Sequence, residues 1–213
     1  MAVNTDRIYL VLVPTIRPLV VAAAKRRLRS FKAEPTTKGR VLFLGDSITQ
    51  AGQWDELFPE LSTLNRGING DTTEDVLARL DEALQSPVAV SLLIGTNDLH
   101  TSRRLKDPDT IVARVEQIID RIRTSAPNAQ IFLNSITPRT PLFAPRIRAL
   151  NQRYAALAQR TGSTYVDLWP ALADENDALR KEFTSDNLHL LPAAYEAWRD
   201  VLRPHLDSFA SHD

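Results

Sequence analysis

From Lys38 onward, short runs of apolar, β-type residues alternate with longer stretches in which apolar side chains recur every three or four positions. That alternation predicts an α/β fold, a parallel sheet covered by helices. Five strands are predicted: Arg40 to Gly45, a weaker one around Ser62 to Arg66, Val88 to Gly95, Gln130 to Ile136 and Ser163 to Asp167. Between them, Thr72 to Leu84 sets Val76, Leu77, Leu80 and Leu84 on one helical face, and Ile111 to Arg123 does the same with Ile111, Val115, Ile118, Ile119 and Ile122. Two further helices are predicted, Arg146 to Arg160 ending at Gly162, and Ala193 to Leu206 behind Pro192. The connection TPRTPLFAP, Thr137 to Pro145, carries three prolines in nine residues directly after a strand. Loops at strand carboxyl ends line the ligand crevice of such sheets, so Thr137 and Pro138 are expected in a substrate-pocket wall, with a stiff surface connector as the alternative.

The amino terminus breaks this pattern. It is apolar from Ile8 to Ala24 and then carries Lys25, Arg26, Arg27 and Arg29, which sets residues 1–37 apart as an extension before a domain at 38–213. A membrane-spanning helix wants about 20 uninterrupted apolar residues, and Pro14, Arg17 and Pro18 interrupt this one. A cleaved signal could end at Ala22 to Ala24, but the basic cluster follows the apolar run instead of preceding it. The third reading is an extension whose apolar face packs on the body, on a second copy of the chain or on a membrane surface. The expected location is cytoplasmic, with membrane association as a variant and secretion left open.

Composition narrows the function. Two hundred and thirteen residues at 43% hydrophobic and 24% charged suffice for one domain with a substantial core. Lys+Arg 26 balances Asp+Glu 26, so no overall basic field draws nucleic acid. Cysteine is absent, which removes disulfides, thiolate metal ligands and a cysteine nucleophile.

Candidate chemistry lies where strands end. VLFLGDSITQ runs four apolar residues into Gly-Asp-Ser, so Ser47 stands at the end of a strand and the start of a helix, where backbone amides are unpaired. Ser47 or Asp46 could simply cap that helix. The nucleophile elbow G-x-S-x-G is absent, since Thr49 occupies the second glycine position. A serine nucleophile needs a base, and the histidines are His100, His189, His205 and His212. His189 lies in a polar turn three residues after Asp186, which can accept from Nδ1–H and leave Nε2 facing a serine. His205, within a helix, and His212, in the tail, are more simply surface groups. Oxyanion donors can come from Gly67 in NRGINGD and from the Asn97 side chain in LLIGTND. Asp46 and Asp98 flank the site and are expected to contact substrate; as a carboxylate pair they could alternatively suggest Mg²⁺ or glycosidase chemistry. Trp54, Phe58 and Phe143 are either apolar pocket walls or core.

These blocks, GDS at Gly45 to Ser47, Asn-x-Gly at Asn65 to Gly67, GTND at Gly95 to Asp98 and DxxH at Asp186 to His189, resemble in order the four blocks of the SGNH hydrolases, the GDSL esterase/lipase family. The resemblance covers about residues 38 to 206. It implies a three-layer, flavodoxin-like α/β/α fold with a five-stranded parallel sheet. It also implies Ser47 as nucleophile, His189 as base, Asp186 as its orienter, and the Ser47 and Gly67 amides with Asn97 as the oxyanion hole. GINGDTTEDVLARL is similar to the catalytic subunits of platelet-activating factor acetylhydrolase and their bacterial relatives, which implies short acyl esters as substrates. Isoleucine replaces leucine in GDSI, and Asn187 stands where relatives often have glycine. The implied function is hydrolysis of a small-molecule acyl ester without metal or cofactor. Acyl transfer to an alcohol uses the same residues, and a module that binds acyl sugars or lipids without turnover is the alternative of another class.

Overall fold

Residues 22–31, 33, 38–99 and 107–210 of the chain are described by a computed structural model. The apolar runs become β1 (Val41–Gly45), β2 (Thr63–Gly67), β3 (Ala89–Leu93), β4 (Gln130–Asn134) and β5 (Thr164–Val166). All four pairings are parallel, in the order β2-β1-β3-β4-β5. Two of these strands end earlier than their apolar runs predict. Ile94 and Ile136 lie past the ladders yet remain fully buried, so hydrophobicity continues where pairing stops.

Alternating side chains feed two cores, as buried parallel strands require. Leu42 and Leu44 of β1, with Val90 and Leu92 of β3, pack against α4 (Thr73–Ala78), α5 (Leu80–Ala83), α6 (Pro108–Ser125) and α7 (Ala144–Thr161). On the opposite face, Val41 and Phe43 meet α2 (Ser47–Ala51), α3 (Trp54–Leu57), α8 (Trp169–Leu172) and α9 (Pro192–Leu206). The result is a three-layer α/β/α sandwich. Trp54 stacks on Phe43 with ring centroids 3.9 Å apart, and both Trp54 and Phe58 are core residues, not pocket walls.

The stretch read as one helix from Thr72 to Leu84 is two, broken at Arg79 (φ −109°, ψ 11°). The Arg79 side chain explains the break. Its guanidinium turns inward, Nε donating to Asp71 Oδ2 at 2.6 Å and Nη2 to the carbonyls of Arg66 and Gly45 at 2.9 and 3.1 Å. The long helices follow their sequence signals: α7 stops at Gly162 in the left-handed region (φ +63°), and α9 starts with Pro192. Residues 22–31 form a helix, α1, whose Phe31 is buried to 1% exposure. The rest of the apolar stretch from Ile8 to Val21, together with His100 and His212, lies outside the described residues. Among the described residues no helix is long and apolar enough to cross a membrane.

Candidate active site

In the strand order, β1 lies between β2 and β3, and successive connections leave it in opposite directions. Parallel sheets open a crevice at such a switch point, beyond the carboxyl ends of the strands. Ser47 follows β1 and Asn97 follows β3, on the two sides of that crevice. Ser47 is the first residue of α2, behind Asp46, whose Oδ1 accepts from the Ile48 amide at 2.9 Å and caps the helix. The α2 backbone is anchored from α9, where Tyr195 Oη donates to Ile48 O at 2.7 Å. The turn leading into α9 carries His189, so one helix stabilises both halves of the pair.

Across the chain, His189 Nε2 lies 3.1 Å from Ser47 Oγ, and His189 Nδ1 lies 2.6 Å from Asp186 Oδ2. The other carboxylate oxygen of Asp186 accepts from the backbone amides of Leu188 and His189 at 3.0 and 2.8 Å. Partial burial by itself would raise the Asp186 pKa, but the His189 side-chain and backbone bonds outweigh it and hold the carboxyl below its ordinary value. An ionised Asp186 accepts the hydrogen bond from Nδ1–H, which keeps the proton on Nδ1 and leaves Nε2 as the acceptor for the serine hydroxyl. Asn187, between them, adopts φ +62°. Asparagine tolerates this left-handed conformation, so the turn closes without a glycine.

The oxyanion side differs from expectation at Gly67. Even-numbered residues of β2 face β1: the Ile68 amide donates to Gly45 O at 3.1 Å, and Ser62 O accepts from the Val41 amide at 2.8 Å. Gly67 is therefore turned to the outer edge of the sheet, where its amide donates to Asn65 Oδ1 at 3.0 Å. It is a glycine for packing, since a Cβ there would lie 2.2 Å from Gln50 N. Three residues on, Gly70 sits exposed in a turn at φ +82°, and no protein acceptor among the described residues takes its amide. Asn97 Nδ2 donates one hydrogen to Asp71 O at 2.9 Å, fastening the β3 end beside Gly70 and leaving its second hydrogen available. Sequence reasoning missed Gly70, although the signal was present: a glycine directly before the Asp-Thr that opens a helix.

The sequence profile of the GDSL-like lipase/acylhydrolase family matches residues 43–197. The chain belongs to that family. It is 30% identical over 166 residues to platelet-activating factor acetylhydrolase IB subunit alpha2 of Rattus norvegicus, covering 73% of this chain and 70% of the relative. A candidate platelet activating factor from Streptococcus pneumonia superposes with a TM-score of 0.84 at 27% identity, over 91% of this chain and 97% of that one. A GDSL-like lipase from Bacteroides thetaiotaomicron shares the fold, with a TM-score of 0.76 at 23% identity over 88% and 98% of the two chains. The protein is a hydrolase acting on esters.

The residues expected to touch substrate around this family's blocks prove to be interior. Asp46 and Asp98 are fully buried. Asp98 receives Thr73 N and Thr73 Oγ1 at 2.9 and 2.7 Å, joining the end of β3 to the start of α4. Thr137 and Pro138, which open the proline loop, are buried as well. Their spacing placed them at the correct edge of the sheet but could not say which side chains turn inward. Burial pushes Asp46 up from 3.8 to about 7, with Asp71 and Asp98 adding repulsion and the Ile48 amide opposing it. Burial also lifts Asp71 to about 6 against the pull of Arg79. His205 is half-buried beside Phe132, a packing residue of α9 and not the free surface group its helix position suggested.

Proposed function

We propose that the protein is a serine esterase that removes short, acetyl-sized acyl groups from small-molecule esters through an acyl-enzyme. The observation that carries this is the continuous relay from Asp186 through His189 to Ser47, with links of 2.6 and 3.1 Å. In the proposed cycle Ser47 Oγ bonds to the ester carbonyl carbon as its proton passes to His189 Nε2. The Ser47 and Gly70 amides and Asn97 Nδ2 take the oxyanion. As the intermediate collapses, His189 gives the proton to the departing alcohol. Water then repeats the sequence, losing its proton to His189 and releasing the acid and free Ser47. Preference for short acyl groups is supported by the likeness to an acetylhydrolase subunit, and by the loss of Trp54 and Phe58 to the core, which leaves fewer apolar walls for a long chain.

A p-nitrophenyl ester series of increasing acyl length tests both parts. Turnover is expected to be highest for acetate to butyrate. Ser47→Ala should lose activity by about 10⁴-fold or more, and Asn97→Ala by about 10²-fold with the fold retained. A fluorophosphonate should label Ser47. Faster turnover of long chains would remove the short-acyl reading alone. Undiminished cleavage by Ser47→Ala would end the serine mechanism, and ligand binding with neither labelling nor turnover would favour a binding module.

A further inference from the structure

The outer edge of β2 is not bare. Among the described residues, its outward carbonyls at Asn65 and Gly67 have no neighbouring strand, since β2 ends the sheet. Arg27 of α1 supplies the partners: Nε donates to Gly67 O at 2.6 Å, and Nη2 reaches Asn65 O at 3.4 Å and Asn65 Oδ1 at 3.2 Å. Asn65 Oδ1 also accepts the Gly67 amide, while its Nδ2 donates to the carbonyls of Gln50 and Gly52 at 3.1 and 3.0 Å. One guanidinium thus closes a network joining α1, the end of β2 and the chain leaving the Ser47 helix.

Phe31, one turn further along α1, holds the arginine in place. Its ring lies under the Arg66 guanidinium at 4.3 Å and within 5.4 and 5.9 Å of those of Arg27 and Arg79. Arg79 in turn holds Gly45 O and Asp71, the residues two before Ser47 and one after Gly70. The geometry points to Arg27 as a positioning residue for ester hydrolysis, which fixes the exit of β2 so that the Gly70 amide stands where the oxyanion forms. Arg27 touches no reacting atom. Displacing a catalytic donor by about 1 Å can cost as much as 10²-fold in rate, and an oxyanion donor acts on turnover more than on ground-state binding.

This rests on the serine esterase reading, and the experiment separates the two. In the full-length chain, Arg27→Met should lower kcat on p-nitrophenyl acetate by about tenfold with KM within about twofold of the parent. Arg27→Lys, which keeps the charge and one donor to Gly67 O, should fall between. Arg29→Met, exposed on the same helix, should match the parent. Fluorophosphonate labelling at Ser47 should slow in step with kcat. A folded Arg27→Met with parental kcat well below its melting temperature, a change confined to KM, or an equal loss in Arg29→Met would overturn the assignment. A parent that neither turns over ester nor takes the label would remove the esterase reading itself, and this inference with it.

Discussion

Ser47 follows a carboxylate that water does not reach. Asp46 uses one oxygen to cap α2 and leaves the other, Oδ2, buried without a hydrogen-bond partner among the described residues. Its folded pKa of about 7 lies above the ordinary 3.8, so the folded state holds this proton more tightly than the unfolded chain does. The stabilisation is complete below about pH 4 and is lost as pH rises through about 7, amounting to up to about 4 kcal/mol. Asp186, with its lowered pKa, acts in the opposite direction: its contribution is lost as pH falls below the ordinary carboxylate value. Asp46→Asn keeps an acceptor for the Ile48 amide and carries no charge at any pH. Urea unfolding at intervals from pH 5 to pH 8 should show the parent losing stability and the variant losing much less, and equal slopes would refute the assignment. At this scale the meeting of Ser47, His189 and Asp186 was legible because an ordered set of short blocks names them. The orientation of Gly67 was not legible because sequence does not reveal the phase of an edge strand, and that phase turns its amide outward to Asn65 Oδ1.

Elements are held at the crevice by a residue that the sequence offered as a substrate contact. Asp98, three positions past Gly95, serves as an N-terminal partner for α4 by receiving both Thr73 N and its hydroxyl. The same helix carries a capping box between Thr72 and Asp75. Asp98→Ala should therefore destabilise the fold by about 2 kcal/mol, through an unpaired Thr73 hydroxyl and a weakened α4 start. It should also reduce turnover, because Asn97 loses its fixed neighbour. Chemical unfolding of Asp98→Asn, which retains one acceptor, should give an intermediate midpoint; a midpoint equal to that of Asp98→Ala would show that the carboxylate geometry is not what matters. Strands and long helices were readable from periodicity within a few residues. The break at Arg79 was not, because a local helical pattern persists there while a buried arginine bonds to three distant groups.

For the whole molecule, the sequence leaves open what the apolar, basic start of the chain does, and the described part of it answers locally. Helix α1 covers the edge of the sheet nearest the catalytic crevice, a place where unpaired strand groups otherwise invite another chain. Its seat combines one buried ring with guanidinium donors, so it consists of few contacts of high value. Burying Phe31 contributes about 2 to 3 kcal/mol, and its ring also shields Arg66, which is fully buried. In Phe31→Ala, α1 should loosen from β2, and two measurements then move together. The urea midpoint should fall by an amount corresponding to about 2 kcal/mol or more, and sedimentation at rising protein concentration should reveal self-association as the edges of two sheets meet. A chain beginning at Lys38 should show the association more strongly, since Arg27 leaves with the helix. Fall in stability without association would mean that Asn65, whose side chain occupies the outer Gly67 amide, protects the edge unaided, and that α1 serves the crevice more than it guards the sheet.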